Sequence, residues 1–249
     1  MHGAGFKDHF SQVAATYADA RPEYPESLFD WIASIAPGHG LAWEAGCGSG
    51  QATRALAPRF ARVFATDPSA AQVAQARAPA NAAFAIEPAE RCSLPDASAD
   101  AACVAQALHW FDRDAFFAEC ARVLRPGGVL VAWGYRDVEV EAPLRDAVSA
   151  FAADIRPYWP PERADVDAAY ADYAWPFDAI EAPAWTLQAD WPLSRLLAYF
   201  SSYSATRRFI EAHGVDPVAT HAAAIARAWG DAGARRVRWP MFVHARRRP

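Results

Sequence analysis

The chain predicts a doubly wound α/β fold built on a mostly parallel sheet. Three observations carry that prediction. Short apolar runs alternate with helix-like segments through the first half of the sequence. A glycine cluster, Gly46-Cys47-Gly48-Ser49-Gly50, stands where the first run ends and a helix-like segment begins. Asp67 closes the next run, about twenty residues after the first of those glycines, the spacing at which nucleotide-binding α/β units carry an acid.

In chain order, Pro25 opens an amphipathic helix over residues 26–36, which Pro37-Gly38 stops. Leu41-Ala42-Trp43 forms the first strand, running into Glu44 and the glycines, and a helix follows to about Ala57. Residues 63–66 form the second strand, 68–78 a helix, 83–86 and 101–105 two further strands, and 116–124 a helix. Arg125-Pro126-Gly127-Gly128 then turns the chain into a strand over 129–133. Residues 135–178 are rich in Ala, Asp, Tyr, Trp and Pro with weak periodicity, and read as an insertion covering the carboxyl edge of the sheet. A strand over 184–191, a helix over 193–209 and a last strand over 237–245 complete the chain. The expected organisation is thus a core over 1–134 with N-terminal helices, a lid-like insertion over 135–178, and C-terminal strands and helix over 179–249 that complete the sheet.

Composition narrows the function classes. The 249 residues carry 24 Lys and Arg against 29 Asp and Glu, a formal charge of −5, so no global attraction to nucleic acid is expected. The one basic cluster, Arg246-Arg247-Arg248, reads as a solvated tail after the last strand. No apolar run approaches the ~18–20 residues that span a bilayer, and MHGAGFKDHF has no secretory apolar region. Cys47, Cys92, Cys103 and Cys120 are scattered without a C-x-x-C pair, which suits free thiols in a reducing cytoplasm. No histidine motif suggests a metal site.

The glycine loop discriminates among ligands. A dinucleotide fingerprint needs glycine at position 51, where Gln51 stands, and no phosphate loop ending in Gly-Lys-Ser/Thr occurs. The pattern is acid-x-G-x-G-x-G, starting at Glu44. Asp67 at a strand end can accept both hydroxyls of a ribose, or simply cap the helix after Pro68. Glu44 is either a direct ligand or an acid that supports the loop.

These motifs resemble the class I S-adenosylmethionine-dependent methyltransferases, and within them the group similar to trans-aconitate methyltransferase. The resemblance runs through Phe10-Ser11 to Tyr17, Arg21-Pro22, Tyr24-Pro25, the loop at 44–50, Ala65-Thr66-Asp67, Ala89-Glu90 and Leu94-Pro95-Asp96. It continues through Ala105-Gln106-Ala107, His109-Trp110-Phe111, Leu124 to Gly128, Ser202-Tyr203-Ser204 and Gly214-Val215-Asp216-Pro217. It implies a seven-stranded Rossmann-like sheet with an antiparallel last strand and S-adenosylmethionine across its carboxyl edge. It further implies that Gly46, Gly48 and Gly50 face the methionine moiety, that Asp67 binds the ribose, that Ala89 and Glu90 flank the adenine, and that Gln106 lies on the sulfonium side.

A methyl group leaves a sulfonium by in-line displacement, so the protein mainly aligns the reactants. A carboxylate acceptor is already ionised and needs no base, whereas an amine or phenol needs one. The expected reaction is methylation of a small acceptor, with O-methylation of a carboxylate the leading case. A non-catalytic cofactor-binding sensor and an RNA methyltransferase are the alternatives. Tyr17 and Arg21, four apart, would close over the cofactor or hold an anionic substrate, unless they only pack a helix end on the sheet. His109 is the candidate acceptor-site histidine, and Trp110 and Trp133 are pocket wall or core. Arg207 and Arg208 beside Tyr203 are candidate carboxylate readers. Tyr158-Trp159-Pro160-Pro161 is either a lid wall or a surface loop.

Overall fold

The computed structural model describes residues 21–249. Tyr17 and the motif from Phe10 lie outside the described residues. Strands β1 (Leu41–Ala45), β2 (Arg62–Thr66), β3 (Ala82–Ala85), β4 (Ala99–Ala105) and β5 (Leu124–Tyr135) form a parallel sheet in the order β3-β2-β1-β4-β5. β1 and β4 are buried almost throughout, as strands covered on both faces must be. The long strand β9 (Arg235–Arg247) runs antiparallel to β5 through residues 241–247. On its far side this half pairs with β7 (Asp178–Ile180), so seven strands make the main sheet. The other half, 235–240, pairs with β6 (Glu139–Val140), which the sequence did not predict, and with β8 (Thr186–Trp191), the strand expected over 184–191, in an antiparallel extension.

Helix α1 (Glu26–Ile35) packs Phe29 and Ile32 with Leu56, Val131 and Trp133 on one face of the sheet. On the other face α4 (Arg113–Val123), capped by Asp112 accepting from the Ala115 N–H at 3.2 Å, buries Phe116 and Cys120 against Trp43 and Leu130. Two short helices follow β1 and β2: α2 (Gln51–Leu56) and α3 (Ala70–Val73). The expected helix over 68–78 ends early because Gln72 is its one buried residue, so no apolar stripe anchors a longer one.

Residues 139–167 are more ordered than their composition suggested. Leu144, Val148, Phe151 and Ile155 recur at helical spacing, and α5 (Arg145–Ile155) buries the last three against Leu196, Phe200 and Trp229. α6 (Arg163–Asp167) follows. The single helix expected over 193–209 is two, α7 (Leu193–Ser201) and α8 (Ser204–His213). The Ser202 hydroxyl donates to the Tyr199 carbonyl at 2.6 Å and Thr206 to that of Phe200 at 2.8 Å, satisfying carbonyls that a continuous helix would use. α9 (Pro217–Trp229), capped by Asp216, was not foreseen. Among the described residues no helix is long and apolar enough to cross a membrane.

The arginine run at the C-terminus corrects the expectation of a solvated tail. Arg246 and Arg247 lie inside β9, and the Arg247 guanidinium donates to the carbonyls of Gly127 and Ile35, each at 2.9 Å. Arg248 donates to the Leu124 carbonyl.

Candidate active site

The glycine loop leaves the carboxyl end of β1. Gly46 (φ +68°) and Gly50 (φ +80°) occupy left-handed backbone that only glycine adopts without strain. Contacts add to that requirement. A Cβ on Gly46 would lie 2.7 Å from the Ala107 Cβ, and one on Gly50 2.7 Å from Phe84 Cζ. The loop therefore presses against the ends of β4 and β3. At Gly48 (φ +54°) the nearest atom to such a carbon would be the Gln72 side-chain Oε1 at 3.8 Å, an ordinary contact, so the middle of the loop is less crowded than its two ends.

Asp67, just past β2, ties the loop to the next turn. Its carboxylate accepts from the Gly48 N–H and the Ser69 N–H, both at 2.8 Å, which orients it at the sheet edge beside the glycines. Glu44 sits below the loop. It is 1% exposed and accepts a hydrogen bond from the Thr53 hydroxyl on α2. Burial pushes its pKa up to about 8, and the nearby Asp67 charge adds to this against the Thr53 bond. Glu44 is thus shut beneath the loop and bonded to α2, with its carboxyl held above the usual carboxylate range.

The remaining cofactor-side residues divide. Ala89 is buried among Ala45, Cys92 and Trp43, while Glu90 accepts from the Asp112 N–H at 2.8 Å. Gln106 adopts φ +53°, and its side-chain amide is bound on both sides by Tyr135. The Tyr135 N–H donates to Oε1 at 2.7 Å, and Nε2 donates to the Tyr135 carbonyl at 3.2 Å. Its side chain thereby extends the β4–β5 pairing, with one Nε2 proton and one Oε1 lone pair committed to Tyr135.

Beyond β4 a cavity of about 260 Å³ opens. Gln106, His109 and Trp110 line it from the strand end, Trp159, Pro160 and Arg163 from the insertion, Tyr203 from the join between α7 and α8, and Arg207 from α8. Arg21 completes the wall, donating to the Tyr135 hydroxyl at 3.1 Å with its guanidinium 5.5 Å from the Tyr199 ring. The structure thus brings together His109, Arg21, Trp110, Tyr203 and Arg207, all singled out from the sequence, and adds Arg163. Arg208 is not in the lining, and Trp133 is fully buried core. Trp159 and Pro160 are cavity wall, whereas Tyr158 packs on Phe209 and His213.

Arg163 pairs with Asp137 at 2.6 Å and Asp167 at 2.7 Å and lies over the Trp159 ring. Its sequence signal was the Arg163/Asp167 pair at i, i+4 just after Trp159-Pro160. Glu211, at 3.4 Å from Arg207, is the one carboxylate among the described lining residues. His109 accepts no proton near neutrality. Burial pushes its pKa down to about 3, and the Arg163 charge works in the same direction.

A parallel sheet in this order, closed by an antiparallel strand, with a glycine loop after β1 and a carboxylate after β2, defines a class I methyltransferase. Comparison with known proteins agrees. A family model described as a methyltransferase domain matches residues 43–132. A Dictyostelium discoideum protein provisionally named a methyltransferase is 32% identical over 216 residues, covering 85% of this chain and 82% of that one. An uncharacterized methyltransferase of Mycobacterium tuberculosis is 39% identical over 131 residues, 51% of this chain and 53% of its own length. A solved structure from Anaeromyxobacter dehalogenans, provisionally described as a type II methyltransferase, superposes with a TM-score of 0.85 at 41% identity, covering 91% of this chain and 97% of that chain. The chain belongs to the methyltransferase family, as an S-adenosylmethionine-dependent enzyme.

Proposed function

We propose that this enzyme methylates an oxygen of a small anionic acceptor seated in the cavity beyond β4. One observation carries the reading: three arginines, Arg21, Arg163 and Arg207, line that cavity, where Glu211 beside Arg207 is the one lining carboxylate and Asp137 and Asp167 pair with Arg163 from outside the lining. Guanidinium groups bind carboxylates through paired N–H donors, and a recess with aromatic walls strengthens such bonds by excluding water. The likeness to the trans-aconitate methyltransferase group points toward the same acceptor chemistry. The chain's net charge of −5 argues against a nucleic-acid acceptor. Four buried cysteines without disulfides suit a cytoplasmic enzyme.

The less crowded glycine backbone at Gly48 and the carboxylate of Asp67 fit S-adenosylmethionine, with Gly46, Gly48 and Gly50 along the methionine moiety and Asp67 on the ribose. Ala89 and Glu90 would border the adenine and the Gln106 backbone the sulfonium side, with Glu44 supporting the loop from below. When bound, the cofactor supplies a methyl group already activated on sulfur. The protein's task is then positional. The arginines fix the acceptor, Trp110 and Trp159 exclude water, and the 135–178 insertion acts as a lid. Alignment of this kind contributes up to roughly 7–11 kcal/mol in well-oriented systems.

The test is incubation of the protein with methyl-labelled S-adenosylmethionine and panels of small carboxylic acids, phenols and amines. Labelled methyl ester from the acids alone supports the reading, and turnover confined to amines overturns it. Asp67→Ala is expected to weaken cofactor binding tenfold or more, about 1.4 kcal/mol, measured by calorimetry. Unchanged affinity would remove Asp67 from the ribose site.

A further inference from the structure

We infer that Tyr170, on the insertion, is a positioning residue that holds His109 in the tautomer with its proton on Nε2, so that His109 meets the methyl acceptor as a hydrogen-bond donor and not as a base. The inference rests on the reading of the cavity as the acceptor site, and it removes His109 from the groups that could deprotonate the acceptor.

The Tyr170 hydroxyl and His109 Nδ1 are 3.0 Å apart, and Tyr170 is 1% exposed. Either group could be the donor. A buried phenol must place its proton on an acceptor, and among the described residues His109 Nδ1 is the one acceptor at that hydroxyl, its other partner being the His109 backbone N–H, a donor. Were Nδ1 to carry the proton, the phenol proton would be left buried without an acceptor. Tyr170 is therefore the donor, Nδ1 accepts, and a neutral ring then carries its proton on Nε2. Tyr170 lies outside the cavity lining and His109 lies within it, so the ring edge away from Nδ1 is the one offered to the cavity.

The ring stays neutral. The imidazolium form is opposed by burial and by the Arg163 charge, which Asp137 and Asp167 fix in place. Tyr170 itself is held firmly. Its ring stacks on Tyr173 at 5.0 Å and meets Phe242 edge-on at 4.9 Å, and the Tyr173 hydroxyl donates to Asp165 at 2.8 Å. Ala169 and Tyr170 both adopt left-handed backbone, φ +54° and +57°, a costly conformation for two successive non-glycine residues. The His244 ring hydrogen-bonds to the Ala169 carbonyl at 2.7 Å and secures that turn. A strained turn maintained by this many contacts, and ending on hydrogen bonds to a cavity histidine, is a device for orienting that histidine.

With its proton on Nε2 and Nδ1 taken by the phenol, His109 offers the acceptor a donor and no free lone pair. His109 would therefore not activate a neutral phenol or an ammonium group there.

The tautomer can be read directly from long-range 15N–1H correlation spectra of the full chain labelled in histidine, with His109 assigned by its loss in His109→Gln. The expected result is a His109 pattern of Nε2–H and bare Nδ1, unchanged from pH 5.5 to 9. In Tyr170→Phe the pattern should shift toward a mixture of tautomers. An Nδ1–H pattern in the native chain, or an imidazolium forming near pH 6.5, overturns the inference without recourse to any variant. An unaltered tautomer in folded Tyr170→Phe would overturn the role of Tyr170. These spectra require no acceptor, so their outcome is separable from that of the acceptor panel.

Discussion

Glu44 and Asp67 are both acids at the mouth of the sheet, and their surroundings give them opposite characters. Asp67 accepts two backbone N–H bonds at the edge, whereas Glu44 is shut beneath the loop with Thr53. With its pKa raised from 4.5 to about 8, Glu44 stays protonated in the folded chain over a range in which the unfolded chain has lost that proton. Its contribution to stability is therefore fully present below pH 4.5 and is lost as pH rises toward 8, at up to about 1.4 kcal/mol per pH unit. Glu44→Gln keeps the shape and an acceptor for Thr53 while removing the titration. Thermal melts should show the variant gaining on the native chain from pH 5 to 8 and by a constant margin above it, with cofactor affinity nearly unchanged. A variant whose advantage does not change with pH would refute the assignment. His109 has the opposite slope. Held near 3 against an ordinary 6.5, it contributes stability that is present above pH 6.5 and lost as pH falls toward 3. His109→Gln should accordingly flatten the acid side of the same melting profile.

At the scale of elements, the join between β4 and β5 is what shapes the cavity mouth, and it depends on a glycine that no motif marks. A Cβ on Gly134 would come within 2.4 Å of Gln106 Oε1 and 2.5 Å of Phe242 Cζ. Gly134→Ala must therefore push the Gln106 amide off the Tyr135 backbone, at a cost of about 1–3 kcal/mol. The expected readout is a Tm lower by several degrees together with weaker cofactor binding, and an unchanged melt would show that the join yields freely. Gly46 was legible from the sequence and Gly134 was not, for a physical reason. The loop's requirement is local, set by a strand–turn–helix whose glycines are contiguous, whereas Gly134 is needed because Gln106 and Phe242 arrive from distant positions. The same division holds elsewhere. The first five strands were visible as apolar runs, and the 144, 148, 151, 155 repeat carried the signal of α5, although alanines between those positions obscured it. The break between α7 and α8 had no glycine or proline to announce it, because hydroxyls of Ser202 and Thr206 make it. Of the cavity lining, His109 and Arg207 could be placed by their position after a strand or beside Tyr203, whereas Arg208, picked out with them, is not in the lining. Tyr170 could not, since its role appears only when a turn of the insertion meets the end of β4.

Across the whole molecule, the last strand joins elements far apart in the chain, and its final arginines complete that connection. β9 pairs with β5 and β7 through one half and with β6 and β8 through the other, so it links the cofactor sheet to the extension that backs α7 and α9. At its end the Arg248 N–H donates to the Gly128 carbonyl at 2.8 Å and the Gly127 N–H to the Arg248 carbonyl at 2.9 Å. Arg247 spans from there to the Ile35 carbonyl at the end of α1, 212 residues away in sequence. Carbonyls at a helix end and a tight turn have few other partners, so a guanidinium that serves both substitutes for a cap. Ending the chain at Ala245 would remove these bonds, at roughly 1 kcal/mol each and about 3–5 kcal/mol together. For a domain of this size, Tm should fall by roughly 6–20 °C. A solvated tail predicts no change on truncation. Arg247→Met, which keeps much of the stem but not the donors, separates the two cases with the least disturbance. It should lose about 1–2 kcal/mol if the guanidinium clasps Gly127 and Ile35, and nothing if backbone pairing of β9 is the whole contribution.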